Sequence, residues 1–139
     1  MDAVGRALVR VRVRGANDQW QSLTLEIDTG AQPMVITSPA WLAWLGAPTE
    51  PGEVLTMANG QRVGATLGLL ELEWVDGARL VEVLAPDIVT GANPFRQPGQ
   101  RGDAAHGLIG RALLDGCRLV VDYAQDIVII TASNDVVPA

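Results

Sequence analysis

The first clear pattern in the chain is Leu8 to Arg14, LVRVRVR, where Val9, Val11 and Val13 fall on one side and Arg10, Arg12 and Arg14 on the other. Strict period-two alternation marks a strand with one buried face, and the arginine row reads as its solvated face. Gly15-Ala16-Asn17-Asp18 is turn chemistry. Leu23, Leu25 and Ile27 then form the inner face of a second strand, so the two make a hairpin. This strand runs into Asp28-Thr29-Gly30-Ala31, and a further apolar run, Met34-Val35-Ile36, leaves it. Ser38 as N-cap, Pro39 at the first helical position and Gly46 as terminator predict a short helix, AWLAWLG. Its Trp41, Leu42, Trp44 and Leu45 are expected to pack on the sheet.

Pro48 to Gly52 reads as loop. Glu53 to Thr56 and the run from Gln61 flank Met57-Ala58-Asn59-Gly60, and Asn-Gly between extended runs predicts a tight hairpin with positive φ at both turn residues. From Leu67 to Val75, Leu70, Leu72 and Trp74 alternate with Glu71 and Glu73; Asp76-Gly77 turns the chain, and Arg79 to Ala85 returns. Pro86 to Ala105 is irregular and reads as a long loop, or as an edge strand plus a loop. His106 to Gly110 is a short apolar strand, Arg111 to Gly116 a turn or two of helix, and Leu119 to Tyr123 with Ile127 to Thr131 a closing hairpin across Ala124-Gln125-Asp126. The expectation is one all-β domain over residues 1–139, built of antiparallel strands without βαβ crossovers, with one or two short helices.

Composition narrows the function classes. The 139 residues are 48% hydrophobic and 19% charged, enough to bury a core. A formal net charge of −6 argues against nucleic acid and anionic membrane as partners. Cys117 is the only cysteine, so no intramolecular disulfide forms, and it reads as a small buried apolar residue. No stretch approaches the ~20 apolar residues of a membrane span, and the arginine-bearing N-terminus does not read as a signal peptide. A cytoplasmic location is expected; a periplasmic or membrane-associated form cut from a longer precursor fits the same composition. His106 is the only histidine and reads as a strand-edge residue, so no metal site and no cofactor are expected. Gly-x-Ser-x-Gly, Gly-x-Gly-x-x-Gly and Walker patterns are all missing from the sequence.

The chemistry concentrates at Asp28. A carboxylate at the exit of a buried strand asks for a partner, because an unpaired buried charge shifts its pKa or destabilises the fold. Two carboxylates a few ångströms apart share one proton: the ionised member takes a proton from water, and the protonated member polarises a scissile carbonyl. A hydroxyl at Thr29 can bond across to a partner loop, and Gly30 admits a second backbone. Asp28-Thr29-Gly30-Ala31 after LTLEI is followed, some eighty residues on, by Leu108-Ile109-Gly110-Arg111-Ala112-Leu113-Leu114. Together these resemble the retropepsin-like single-domain aspartic proteases, the retroviral proteases and their bacterial relatives, over roughly Val9 to Ile130.

The resemblance implies a closed, barrel-like acid-protease half with a flap hairpin. It implies an aspartic endopeptidase whose catalytic residues are Asp28, Thr29 and Gly30. Ala31, Gln32, the flap residues Met57, Ala58, Asn59 and Gly60, and Leu108 and Ile109 would contact an extended polypeptide substrate, and Arg111 would support the loop. Pockets near Ile36, Val63 and Leu108 would favour apolar side chains. Only one such motif occurs; Val89-Thr90-Gly91-Ala92 echoes it with Val89 in place of the acid. The partner of Asp28 is therefore expected to be Asp28 of a second copy in a two-fold homodimer. Where retroviral enzymes carry acidic residues after this motif, the chain has Gln32 and Pro33, so Arg111 is expected to donate to the Gln32 amide oxygen instead. A catalytically silent dimerisation or peptide-binding module is the rival reading.

Overall fold

A computed structural model of the protein describes residues 7–56, 59–88, 93–122, 124–125 and 127–132. The first two flap residues, Met57 and Ala58, and the Val89–Ala92 echo lie outside the described residues, as do Tyr123 and Asp126. The strands are β1 (Leu8–Arg14), β2 (Gln21–Ile27), β3 (Val35–Ile36), β4 (Thr49–Pro51), β5 (Leu55–Thr56), β6 (Arg62–Val63), β7 (Ala65–Trp74), β8 (Gly77–Pro86), β9 (Gly107–Ile109), β10 (Cys117–Asp122) and β11 (Ile127–Ala132). The helices are α1 (Pro39–Leu45) and α2 (Arg111–Leu114).

The main sheet runs β1-β2-β9-β3-β8-β7-β4, and β1 also pairs with β7, at Val13↔Leu72 and Arg14↔Glu71. That extra pairing closes six strands into a barrel and leaves β4 as an added strand on the first half of β7. Closure removes most of the open edge that a small sheet would otherwise expose. The fold class is the all-β, closed-barrel one expected from the sequence.

Alternation sets the inside of the barrel. Val11, Val13, Leu23, Leu25, Leu70, Leu72, Val81, Val83, Ile109 and Leu113 form one buried cluster, capped by Leu42 and Leu45 of α1. Gly68 on β7 makes room for that cap, since a Cβ there would stand 2.8 Å from Leu42 Cδ2. The arginine row outside is paired across strands. Arg12 reaches Glu73 at 3.3 Å, Arg14 bonds Glu71 through Nε at 2.8 Å, and the Arg14 guanidinium lies 4.6 Å from the Trp20 ring centre.

Several local expectations change. Thr49–Pro51 is a strand on β7, not loop. The sheet is mixed: β9 runs parallel to β2, and β3 parallel to β8. Long connections return the chain to distant strands, and no short-range pattern records that. The β7–β8 turn is Val75-Asp76, with Gly77 at φ 112° as the first residue of β8, so the turn lies one residue earlier than Asp76-Gly77 suggested. Ser38 occupies the N-cap in an extended conformation but makes no side-chain cap bond, and its Oγ is buried without a partner among the described residues. Trp44 is 60% exposed rather than packed, because it faces away from the side of α1 that carries Trp41, Leu42 and Leu45. Among the described residues, no helix is long and apolar enough to cross a membrane.

Leu25 is fully buried and Leu80 is 61% exposed. Leu25→Ala should therefore cost about 3 kcal/mol of unfolding free energy, and Leu80→Ala no more than about 0.5 kcal/mol. Urea denaturation of the two variants would show this contrast; equal losses would mean that the barrel interior is misassigned.

Candidate active site

The Asp28 loop joins β2 to β3, yet these strands are not neighbours: β9 lies between them, parallel to β2 and antiparallel to β3. Main-chain bonds from β9 and the start of α2 therefore hold both ends of the loop. Asp28 N–H donates to the Ile109 carbonyl at 2.9 Å, and Gly110 N–H to Met34 at 3.0 Å. Arg111 N–H donates to Ala31 at 2.7 Å, and Ala112 N–H to Gln32 at 3.1 Å. Within the loop, Ala31 N–H donates to the Asp28 carbonyl at 3.2 Å, and Gly30 N–H to Asp28 Oδ1 at 3.0 Å. This last bond fixes the carboxylate in an Asx-type turn.

The approach leaves no space for side chains. A Cβ on Gly110 would overlap the Pro33 carbonyl oxygen and stand 2.8 Å from that of Ala31; on Gly107 it would overlap the Ile36 oxygen. The apolar-apolar-Gly pattern of the sequence thus has a steric cause. Gly107 does the same at the other end of the strand, a role that could have been read only from its place in that short run.

The catalytic candidates sit together. Asp28 is half-buried, while Thr29 and Gly30 are exposed at the tip. The Thr29 hydroxyl has no hydrogen-bond partner among the described residues. Ala31 is half-buried and Gln32 exposed. Leu108 is half-buried, paired in register with Ile36, while Ile109 is fully buried in the core. Ile109 therefore reaches the loop through its carbonyl and not through its side chain. Arg111 is exposed, and the expected bond to the Gln32 amide oxygen does not form; the two segments are joined through Ala112 N–H and the Gln32 carbonyl instead. A cleft of about 640 Å³ opens beside the loop, lined by Pro33, Met34, Leu84 and Ala112 and by leucines of β7 and β8.

The expected hairpin is present: β5 and β6 pair antiparallel at Leu55↔Val63 and Thr56↔Arg62. The strands end at Thr56 and Arg62, so the connection is longer than a two-residue Asn-Gly turn. Among its described residues only Gly60 has positive φ, at 83°, while the Asn59 side chain accepts from Gln61 N–H at 2.9 Å. The expected positive φ at Asn59 is therefore not adopted.

His106 is structural. Its Nδ1 accepts from Thr24 N–H at 2.8 Å, its own N–H donates to Thr24 O at 2.8 Å, and its carbonyl accepts from Thr37 Oγ1 at 2.7 Å. The ring packs edge-on against Trp41, centres 5.0 Å apart, and Trp41 Nε1 donates to Arg96 O at 2.6 Å. An imidazole whose Nδ1 accepts a proton-bearing amide is neutral. Burial, and secondarily the Arg96 charge, push its pKa down to about 4.

No protein-family model matches the chain, and no curated protein sequence matches it. Among solved structures it is similar to EIAV protease, determined in complex with the inhibitor HBY-793. That match has a TM-score of 0.55 and 17% identity, and covers 83% of this chain and 90% of that one. A likeness at that identity is one of fold. A Legionella pneumophila protein of unknown function aligns with a TM-score of 0.38 and 13% identity, over 79% of this chain and 84% of that one, too loosely to carry an argument.

Gly110→Ala should destabilise the chain by more than about 3 kcal/mol, because the added methyl meets backbone that cannot rotate away. A variant as stable as the parent in urea would refute the clasp. For His106, a folded-state pKa near 4 against 6.5 unfolded gives stability that is complete above pH 6.5 and is lost progressively as pH falls through 4. Thermal unfolding should show this decline, and His106→Asn, which keeps an acceptor near the Nδ1 position but does not titrate, should flatten it. An unchanged pH profile in that variant would count against the assignment.

Proposed function

We propose that the chain is one half of an aspartic endopeptidase. In this reading, two copies bring their Asp28 carboxylates together across a two-fold axis. The observation that carries it is the Asp28-Thr29-Gly30 tip: a half-buried carboxylate oriented by Gly30 N–H, at the exposed end of a loop otherwise locked by main-chain bonds. Rigid presentation of an incomplete acid group is what a shared dyad requires. One carboxylate, ionised, takes a proton from the attacking water; the other, protonated, donates to the substrate carbonyl. Thr29 would bond across to the partner loop. Extended substrate would lie between the loop and the β5–β6 flap, adding main-chain bonds as a strand does. Leu108 and Ile36 would contact its side chains, and Arg111 would steady the helix–loop junction.

Asp28→Asn should lower peptide-bond hydrolysis by roughly 10²–10⁴-fold or more while leaving stability near the parent value. Full activity in that variant would end the mechanism. Because the site is shared, specific activity should fall on dilution below the dimer dissociation constant. Mixing parent with an equal amount of Asp28→Asn should reduce activity per parent chain to about one half, as mixed dimers form. Activity indifferent to dilution and mixing would point to a one-chain site. Extended-peptide binding without any cleavage, at acidic and neutral pH, would favour the silent binding module.

A further inference from the structure

Glu26 lies two residues before Asp28, on the same side of β2. The side chains that point into the barrel are Leu23 and Leu25, both buried, so Thr24, Glu26 and Asp28 project from the other face. The ladder continues through Asp28, whose N–H still bonds Ile109 O, so this parity holds at the catalytic carboxylate. Sheet register sets the neighbours. Glu26 is opposite Leu8 on β1 and Leu108 on β9; Leu108 is opposite Ile36, and Ile36 opposite Leu84. These five residues are all half-buried and form one row on the outer face, apolar except for a single carboxylate.

That carboxylate has no hydrogen bond and no ion pair among the described residues. Glu71 and Glu73 of the same sheet are taken by Arg14 and Arg12, and Glu50 and Glu82, which have no partner among the described residues, are exposed to water as Glu26 is not. Leu8 and Leu108 offer Glu26 nothing to bond. A half-buried carboxylate flanked by leucines loses hydration without compensation. It regains that energy when a cation with hydrogen-bond donors enters the row.

We infer that Glu26 is a specificity residue of the proposed peptide site and selects an arginine or lysine side chain next to the scissile bond. The inference rests on the endopeptidase reading for the position of the substrate. Glu26 and Asp28 are ~7 Å apart along the strand, which is also the spacing of same-side residues in an extended peptide. A peptide lying across Asp28 therefore places a flanking side chain over Glu26 and Leu108. The leucine takes the methylene stem and the carboxylate the charged head, as long basic side chains require. The expectation of wholly apolar pockets is thereby narrowed: Ile36 and Leu108 supply walls, and Glu26 the charge. The net charge of −6 favours approach of a cationic peptide.

Two extended peptides test this, alike except for arginine or norleucine at the central position, each with the scissile amide replaced by a hydroxyethylene isostere. Titrated against the full chain at low salt by fluorescence anisotropy, the arginine peptide should bind about tenfold more tightly. The ratio should fall to near one in Glu26→Gln and reverse in Glu26→Leu. Equal binding by the parent chain, or a ratio preserved in Glu26→Gln, overturns the inference. Asp28→Asn should keep the arginine preference while losing hydrolysis, which separates the two claims. Arginine-selective binding of the isosteres, with no hydrolysis of the same two peptides made with an ordinary amide at that position, would sink the endopeptidase reading and leave Glu26 standing. Asp28-dependent cleavage indifferent to arginine would do the reverse.

Discussion

Everything at the Asp28 loop depends on how closely one backbone can approach another. β9 enters between the strand that leads into the loop and the strand that leaves it, and Gly110 ends it with its Cα against the carbonyls of Ala31 and Pro33. Closeness of that kind turns a surface loop, ordinarily the mobile part of a domain, into a fixed platform. Its bonds are main-chain bonds, so the geometry is indifferent to which side chains follow the motif. That explains why Gln32 and Pro33 can replace acidic residues without loosening the turn. Ala112 N–H binds the Gln32 carbonyl, an atom every residue has, and Pro33 is not called on to donate.

The same constraint separates what the sequence reveals from what it hides. Period-two alternation located β1, β2, β7 and β8, because each has one face in the barrel and one outside. Pro39 and Gly46 bracketed α1 correctly. One short strand escaped for a physical reason: β4 spans three residues, and its pairing with β7 is a tertiary contact with no local periodicity. Parallel pairing of β2 with β9 joins residues more than eighty positions apart, which only the Gly-ended apolar run hinted at. The Asn-Gly flap signal found the hairpin but misjudged its turn, since a longer loop relieves the demand for two positive-φ residues. At the site, the motif letters were legible, whereas the Arg111–Gln32 side-chain bond expected there does not form, the backbone joining those segments through Ala112 N–H and the Gln32 carbonyl instead. The parity of Glu26 with Asp28 is itself legible in the sequence, two residues apart on one strand.

Exposure at the loop tip has a different meaning from exposure elsewhere. Trp44 and Leu80 are open to solvent as isolated apolar residues, which any folded chain tolerates. Thr29 and Gly30 are open at the end of a segment in which the surrounding backbone groups are tied down. A rigid loop with an oriented carboxylate and a spare hydroxyl at its tip is a surface that, on the proposed reading, a second identical tip would complete with matching donors and acceptors. Isologous contact of this sort would place the chemistry on the symmetry axis, where each chain contributes the same residues.

On the proposed reading, acid chemistry and acid stability would pull against each other in this chain. A dyad sharing one proton works best where carboxylates are partly protonated. His106 favours the opposite range, because its neutral ring accepts Thr24 N–H beside Trp41. Protonation there breaks the first bond between β2 and the segment entering β9, at the far end from Asp28. The strand that clasps the catalytic loop is thus anchored at one end by glycine sterics, which do not titrate, and at the other by an imidazole, which does. As pH falls towards 4, the anchor weakens before the clasp, so on the proposed reading the acidic limb of an activity profile would combine loss of this anchor with titration of the dyad. Only a stability curve measured in parallel separates the two, and the His106→Asn chain is the one in which the dyad's own acidic limb would stand alone.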